Sequence, residues 1–207
     1  GNFYGLVIID DYSRFTWTLF LRSKSESFRK LAKLAQNEKG SKIISIRSDH
    51  GMEFQNEHFE SFCEENGINH NFLAPRTPQQ NGIMERKNRS LEESARTLLN
   101  ETNLPEHFWA DAISTICYTL NRLLIRPILK KTPFELYKGR KLNISHLRAF
   151  GCKCFVLNNG KDSLGYSLES KAYRVINKRS LCMEEFVQVI CDESNPSKEE
   201  NKCENDA

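Results

Sequence analysis

The stretch IRSDHGMEF, residues 46–54, decides the fold of this chain, together with TPQQNGIMERKNRSL, residues 77–91. Asp49 ends an apolar run that predicts a buried strand, and Glu85 stands at the start of a segment with helical periodicity. Thirty-five residues lie between them, but a chain with 27 acidic residues contains many such pairs. A strand-borne Asp and a helix-borne Glu, separated by one helix and one strand, can still meet at a divalent metal.

Strand and helix patterns alternate before Glu85. Apolar runs predict strands, turn residues predict a hairpin, and glycines mark the ends of two helices. In order, the sequence predicts strands at 3–9 and 15–21 around a turn at 11–14, a helix capped by Ser25 and stopped by Gly40, a strand at 43–46, a helix from Asn56 to Gly67, and a strand at 68–73. This order predicts an α/β fold with a mixed sheet and flanking helices.

Two long amphipathic helices follow a proline-marked loop at 74–82, and they are predicted to run from about 81 to 102 and from 105 to 124. On the first helix, one face is predicted to carry Met84, Leu91, Ala95 and Leu98, and another Glu85, Arg89, Glu92 and Arg96. On the second, the predicted inner stripe is Phe108, Ala112, Ile116, Thr119 and Leu123.

The sequences RSDHGMEF, TPQQNG and ERKNRSL closely resemble the integrase core of copia-type retrotransposons, and the resemblance extends over about residues 3–190. It implies a ribonuclease-H-like fold in which Asp49 and Glu85 are two of three catalytic carboxylates and bind Mg²⁺ or Mn²⁺. Each residue also has a structural reading. Asp49 could form a turn before Gly51, and Glu85 could pair with Arg89 one helical turn away.

The third carboxylate of that family lies on a first strand, ahead of the hairpin. The segment GNFYGLVIIDDYSRFTW resembles the second and third strands, so we expect an N-terminally truncated core that lacks the first strand and is inactive by itself. We expect Asp10 and Asp11 to form the hairpin turn rather than bind metal.

Polar and basic residues surround the predicted start of the Glu85 helix. Helix N-termini favour phosphate, and basic side chains contact the DNA backbone without regard to sequence. The predicted DNA-binding residues are Arg76, Gln80, Asn81, Arg86, Lys87 and Arg89. A solvated basic face is the alternative reading, and Asn81 could instead cap the helix. The resemblance implies retroelement ends and target DNA as partners, in the nucleus, with a possible homo-oligomer.

The C-terminal part has a different pattern, with a short helix at 132–138 and strands at 147–157, 171–176 and 186–190. SHLRAFGCKCFV and GYSLESKAYRV resemble the small β-domain that follows the copia-type core. The family has about a dozen more residues where Gly165 here meets Tyr166, so we expect an incomplete β-rich appendage.

The predicted domains are a catalytic core at 1–124, a connector at 125–146, the appendage at 147–191 and a disordered tail at 192–207. The tail contains almost no apolar residues.

Bulk composition limits the alternatives. A net charge of +3 does not by itself indicate a nucleic-acid partner, and no apolar run is long enough to cross a bilayer. Seven cysteines, an odd number in a chain of this length, favour reduced intracellular thiols. Cys152 and Cys154 are expected to share a strand face as packing residues, since no second Cys or His pair has metal-site spacing.

These observations favour metal-dependent DNA strand transfer as the ancestral function. The alternative is a catalytically dead or repurposed fragment that binds nucleic acid or another protein. A nuclease of the same fold is a third reading, which the integrase-like loop and helix disfavour.

Overall fold

The computed structural model describes residues 4–21, 27–49, 51, 54, 57–72, 78–156, 159–166, 172–176, 183–187 and 189–192. The chain divides into two compact units. The first contains Gly1–Leu91 and Leu120–Leu142, and the second contains Glu92–Thr119 and Asn143–Ala207. None of the described helices is long and apolar enough to cross a membrane.

Five helices, one 3₁₀ turn and nine strands make up the described structure. They are β1 (Tyr4–Ile9), β2 (Thr16–Leu21), α1 (Ser27–Lys39), β3 (Ser45–Ser48), α2 (Glu57–Glu65), β4 (Asn69–Phe72), α3 (Pro78–Glu101), a 3₁₀ turn (Glu106–Phe108), α4 (Trp109–Leu123), α5 (Pro133–Lys138), β5 (Lys153–Val156), β6 (Asn159–Tyr166), β7 (Tyr173–Ile176), β8 (Met183–Phe186) and β9 (Ile190–Asp192).

The predicted alternation of strands and helices is confirmed, with shifted boundaries. β1 and β2 pair antiparallel, whereas β3 and β4 pair parallel, so both pairing types of the predicted mixed sheet occur. In the described residues they form two separate two-stranded sheets. Helix α3 begins at Pro78 rather than near Asn81, because proline suits the first helical turn, where an N–H has no partner in the helix.

The hairpin turn between β1 and β2 is held by the Asp10 side chain. Its Oδ2 accepts hydrogen bonds from the Ser13 N–H at 2.7 Å and from the Ser13 hydroxyl at 2.5 Å. Asp11 pairs with Arg14, which adopts a left-handed backbone with φ of 63°. The expected turn role of Asp10 and Asp11 is therefore confirmed.

One hydrophobic cluster lies under β3 and β4. Its buried members are Ala32 of α1, Phe59, Phe62 and Cys63 of α2, and Ile68 before β4; Ile8, Ile43, Ile46 and Phe54 pack against them. The apolar residues of α2 recur at three- and four-residue steps, as one face of a helix requires. Burying this face positions α2 as the connection between the parallel strands β3 and β4.

A second cluster joins the start of β2 to α5. The Phe15 ring stacks on Tyr137 with centroids 4.7 Å apart, and Phe134 is buried beside them. The Tyr137 hydroxyl donates to the Ala35 carbonyl at 2.9 Å. Thr132 caps α5 through reciprocal hydrogen bonds with Glu135, which fixes where this short helix begins.

Asn121 of α4 holds the beginning of β2. Its side-chain oxygen accepts from the Thr16 N–H at 2.9 Å, and its amide nitrogen donates to the Thr16 carbonyl at 2.7 Å. Both residues are buried, at 3% and 2% exposure, so these bonds form away from water. The pair spans 105 residues of sequence, which makes it a long-range tie within the first unit.

The inner stripe predicted for the second long helix is only partly correct. Ala112 is buried as expected, but Ile116 and Thr119 are half-buried and Leu123 is 48% exposed. The deeper positions include Ile113, Thr115, Cys117 and Asn121. Asn121 is polar, yet it is among the most buried residues in the last turns of α4. A prediction from apolar periodicity does not detect a buried amide, so it misplaced the inner face there.

The second unit contains a five-stranded antiparallel sheet in the order β8-β7-β6-β5-β9. Strand β6 runs through the Gly165–Tyr166 junction, with a register shift between Ser163 and Gly165. The described β8 and β9 form opposite edges, so this sheet is open. The strand predicted at 186–190 is wrong, because β8 ends at Phe186 and β9 begins at Ile190. Asp192 belongs to β9, and residues 193–207 of the predicted tail lie outside the described residues.

Asn121→Ala is expected to lower the free energy of unfolding by about 2–3 kcal/mol, because it removes two hydrogen bonds from a buried site. Urea unfolding followed by circular dichroism measures the change. Asn100→Ala, on the exposed face of α3, serves as the control and should change stability by less than about 0.5 kcal/mol. A similar small change for Asn121→Ala would show that the Thr16 bonds contribute little.

Candidate metal and nucleic-acid site

Asp49 directly follows β3, and its side chain is exposed. The Gly51 N–H donates to its Oδ1 at 3.1 Å, and the Ser48 hydroxyl donates to its backbone carbonyl at 3.0 Å. The turn-forming reading of Asp49 is therefore correct, and it is compatible with metal binding. Among the described residues, Oδ2 receives no hydrogen bond.

The loop that carries Asp49 is anchored to the first hydrophobic cluster. The Phe54 N–H donates to the Gly51 carbonyl at 2.9 Å, and the Phe54 ring meets Phe59 edge-on, with centroids 5.4 Å apart. On the β4 side, His70 Nε2 lies 2.8 Å from the Ser48 hydroxyl. Burial lowers the pKa of His70, so a neutral ring at this position is favoured at neutral pH. These contacts fix the backbone on both sides of Asp49.

Glu85 lies in the third turn of α3 and is exposed, as are Arg89, Glu92 and Arg96. The predicted polar face of this helix is confirmed. Its buried face carries Leu91, Ala95 and Leu99, whereas Met84 and Leu98 are only half-buried. Among the described side chains, no ion pair joins Glu85 to Arg89, so the structure gives no support to that alternative role for Glu85.

Asn88 is a polar residue that the sequence analysis did not single out. It is half-buried, and its Oδ1 is shielded from solvent without a hydrogen-bond partner in the described part of the chain. An unsatisfied buried oxygen costs about 1–3 kcal/mol, so it favours the arrival of a donor or a cation. Asn88 lies three residues after Glu85, a spacing that places both on neighbouring faces of the helix. In the sequence, the signal that could have pointed to Asn88 is its position within the motif ERKNRSL.

The predicted DNA-binding residues cluster on the first turns of α3. Arg86 and Arg89 are exposed, and Lys87 is half-buried. Gln80 and Asn81 lie in the first turn, and Arg76 lies outside the described residues. The capping role of Asn81 is wrong, because the helix already begins at Pro78 and Asn81 is an internal residue. Backbone N–H groups at this helix start are still suited to phosphate.

Asp49 and Glu85 belong to the same compact unit, at the end of β3 and on the polar face of α3. Their convergence on one metal ion stays a prediction. Within the described residues, three side chains of the His, Cys, Asp and Glu types come together at one place only, where Cys152, Cys154 and Cys191 meet in the second unit.

Comparison with known proteins identifies the source of these motifs. Residues 1–78 match the family described as the integrase core domain. The Retrovirus-related Pol polyprotein from transposon TNT 1-94 of Nicotiana tabacum is 38% identical over 158 residues, which is 75% of this chain. This chain belongs to the integrase core family. A second relative of this integrase core, the Pol polyprotein from transposon RE1 of Arabidopsis thaliana, is 33% identical over 185 residues, or 82% of the chain.

The chain spans 12% of the length of each of these two polyproteins. Solved structures confirm the expected fold. The HTLV-2 integrase catalytic core domain, in complex with magnesium, matches with a TM-score of 0.50 and 22% identity, over 64% of this chain and 93% of that one. A chain of the simian T-cell lymphotropic virus intasome in complex with PP2A regulatory subunit B56 gamma matches with a TM-score of 0.54 and 19% identity, over 87% of this chain and 68% of that one. At these identities the likeness shows the ribonuclease-H-like integrase fold alone.

Proposed function

We propose that this integrase core acts in DNA integration, by metal-dependent transfer of a retroelement DNA end to a target phosphodiester. The observation that carries the proposal is the placement of Asp49 and Glu85. Both are exposed carboxylates of one compact unit with the integrase fold, one at the end of β3 and the other on the polar face of α3. The relatives named above are retroelement polyproteins, which favours this reaction over that of a nuclease.

The donors present fit a hard divalent cation. Mg²⁺ and Mn²⁺ prefer oxygen ligands, carboxylates among them, and Asp49 and Glu85 would each offer an exposed carboxylate. Asp49 and Glu85 would hold the metal. When bound, paired ions activate an attacking oxygen and stabilise a leaving one in phosphoryl transfer. The HTLV-2 relative contains magnesium, which supports the choice of ion.

The chain's own residues would orient the DNA. The Gly51 N–H donates a hydrogen bond to Oδ1 of Asp49, which restricts rotation of the carboxylate. Arg86, Lys87 and Arg89 would neutralise phosphates, and the backbone N–H groups at the start of α3, near Gln80 and Asn81, would donate hydrogen bonds to a phosphate oxygen. The partners would be retroelement ends and nuclear target DNA, bound by an oligomer such as the intasome relative.

Asp49→Asn and Glu85→Gln are each expected to weaken Mn²⁺ binding by at least about tenfold, or about 1.4 kcal/mol, because each removes a charged oxygen ligand. Isothermal titration calorimetry measures the affinity. Glu93→Gln removes the same charge from another exposed position of α3 and should bind Mn²⁺ as the original chain does. Equal Mn²⁺ affinity in all four proteins would place the metal elsewhere.

Duplex DNA binding is expected to be independent of sequence and to have a log–log salt slope of about −2.7, if three phosphates are neutralised at about −0.9 each. Replacing Arg86, Lys87 and Arg89 by glutamine should flatten this slope, as measured by fluorescence anisotropy at several salt concentrations.

The matched control replaces Lys33, Lys42 and Lys130 by glutamine. These are three exposed lysines of the same unit, so the net charge changes equally. This control should keep the slope. Identical slopes in the two triple variants would mean that binding follows net charge and that the α3 surface was misassigned.

Strand transfer itself can be tested in a chimera. The segment of this chain that matches the TNT 1-94 polyprotein would replace its counterpart there, and the 38% identity over 158 residues favours a compatible exchange. New insertions should occur with the chimera and with its Glu93→Gln form, and should be lost with Asp49→Asn or Glu85→Gln at equal protein level. Insertion that persists in both carboxylate variants would contradict the proposal. DNA binding without Mn²⁺ binding would instead favour a non-catalytic binding module.

A further inference from the structure

Three cysteines converge at one edge of the sheet in the second unit. Cys152 immediately precedes β5, Cys154 lies on β5 and Cys191 lies on β9, and their three sulfurs all lie within 4.8 Å of one another. Cys154 and Cys191 are direct register partners on adjacent antiparallel strands, with sulfurs 3.6 Å apart. Cys152 and Cys154 are two residues apart, a spacing that puts alternate side chains on one strand face.

Their surroundings are those of a site with one open side. Cys152 and Cys154 are 7% and 2% exposed, and they share a buried cluster with Val175. Cys191 is only half-buried, so solvent reaches the group from the β9 edge.

The spacing of the sulfurs fits coordination better than it fits a disulfide. A disulfide requires about 2.05 Å between sulfurs, and none of these three described cysteines is in a disulfide. Tetrahedral zinc with bonds of about 2.3 Å separates two thiolate ligands by about 3.8 Å. The Cys154–Cys191 separation of 3.6 Å is close to that edge length, and the 4.8 Å upper limit for the other pairs leaves a small inward adjustment.

We propose that Cys152, Cys154 and Cys191 form a thiolate site for Zn²⁺, with the fourth coordination position open to water at the β9 edge. Each sulfur gives an electron pair to the ion, and the three thiol protons leave to solvent. Thiolate sulfur is a soft ligand that selects zinc over magnesium. This site is therefore chemically distinct from the carboxylates Asp49 and Glu85, and it does not depend on the proposed integration activity.

Zinc at this position would stabilise the pairing of the edge strand β9 with β5. β9 pairs with β5 through only three residue pairs, and one of these is Cys154 with Cys191. A metal that binds both strands adds its binding free energy to the folded state, as structural zinc sites do. Because Cys152 would bind the same ion, the segment before β5 would also be linked to β9 through the metal. The expected result is a second unit whose thermal stability depends on zinc.

The test uses the full chain, reduced and freed of metal, titrated anaerobically with Co²⁺ as a spectroscopic substitute for Zn²⁺. Thiolate-to-cobalt charge-transfer absorption should appear, saturate at one ion per chain and disappear when Zn²⁺ displaces the cobalt. Cys191→Ser should lose this absorption. Cys63→Ser changes a buried thiol in the first unit and should keep it.

Folding is monitored in parallel by circular dichroism and thermal melting. Zn²⁺ should raise the melting midpoint of the original chain and of Cys63→Ser, but not of Cys191→Ser. If the serine variant does not fold, alkylation of the thiols of the original chain provides the test of zinc binding. Zn²⁺ should slow the modification of Cys191 by at least about tenfold. A folded chain that takes up no Co²⁺, absorption retained in folded Cys191→Ser, or alkylation unaffected by Zn²⁺ would each overturn the proposal.

Discussion

Parallel pairing of β3 with β4 is the constraint on which the candidate site depends. Two parallel strands cannot be joined by a tight turn, so the chain must leave the end of β3 and return beside its beginning. Helix α2 makes this return by burying Phe59 and Phe62 against Ala32 and Ile68. Asp49 is the first residue after β3, at the carboxyl end of a parallel strand, where ligands of open α/β sheets bind. The position of the carboxylate is thus set by the packing of α2.

The hairpin of the first unit is held by residues that are far away in sequence. Asn121 bonds the backbone of Thr16, and Tyr137 stacks on Phe15 while it bonds the carbonyl of Ala35. α4 and α5 thus stabilise an antiparallel pair that would be marginal as an isolated hairpin. The segment that reads as a connector in sequence contributes buried aromatic rings to the first unit.

Local patterns predicted the elements of this fold, but they could not reveal what depends on register. Periodicity and turn residues located α1, α2 and the hairpin, and the family motifs singled out Asp49 and Glu85. Near the end of α3 the buried leucine is Leu99 rather than Leu98, because 3.6 residues per turn allows either choice over a short window. Cys191 escaped notice because its proximity to Cys154 arises from the pairing of β9 with β5, across 37 residues of sequence. Asn88 and Asn121 were missed for a related reason, since a buried amide gives no apolar signal.

The hydrogen bond from Gly51 to Asp49 has an energetic consequence for any cation at the site. A side chain that is already held by the backbone has lost rotamer freedom during folding, so that entropy is not lost again when a ligand binds. Glu85 is exposed on a helix face, and its longer side chain would still have to be ordered if it bound the proposed ion. The two carboxylates would therefore take part unequally, with Asp49 as the fixed partner and Glu85 as the one that closes on the ion.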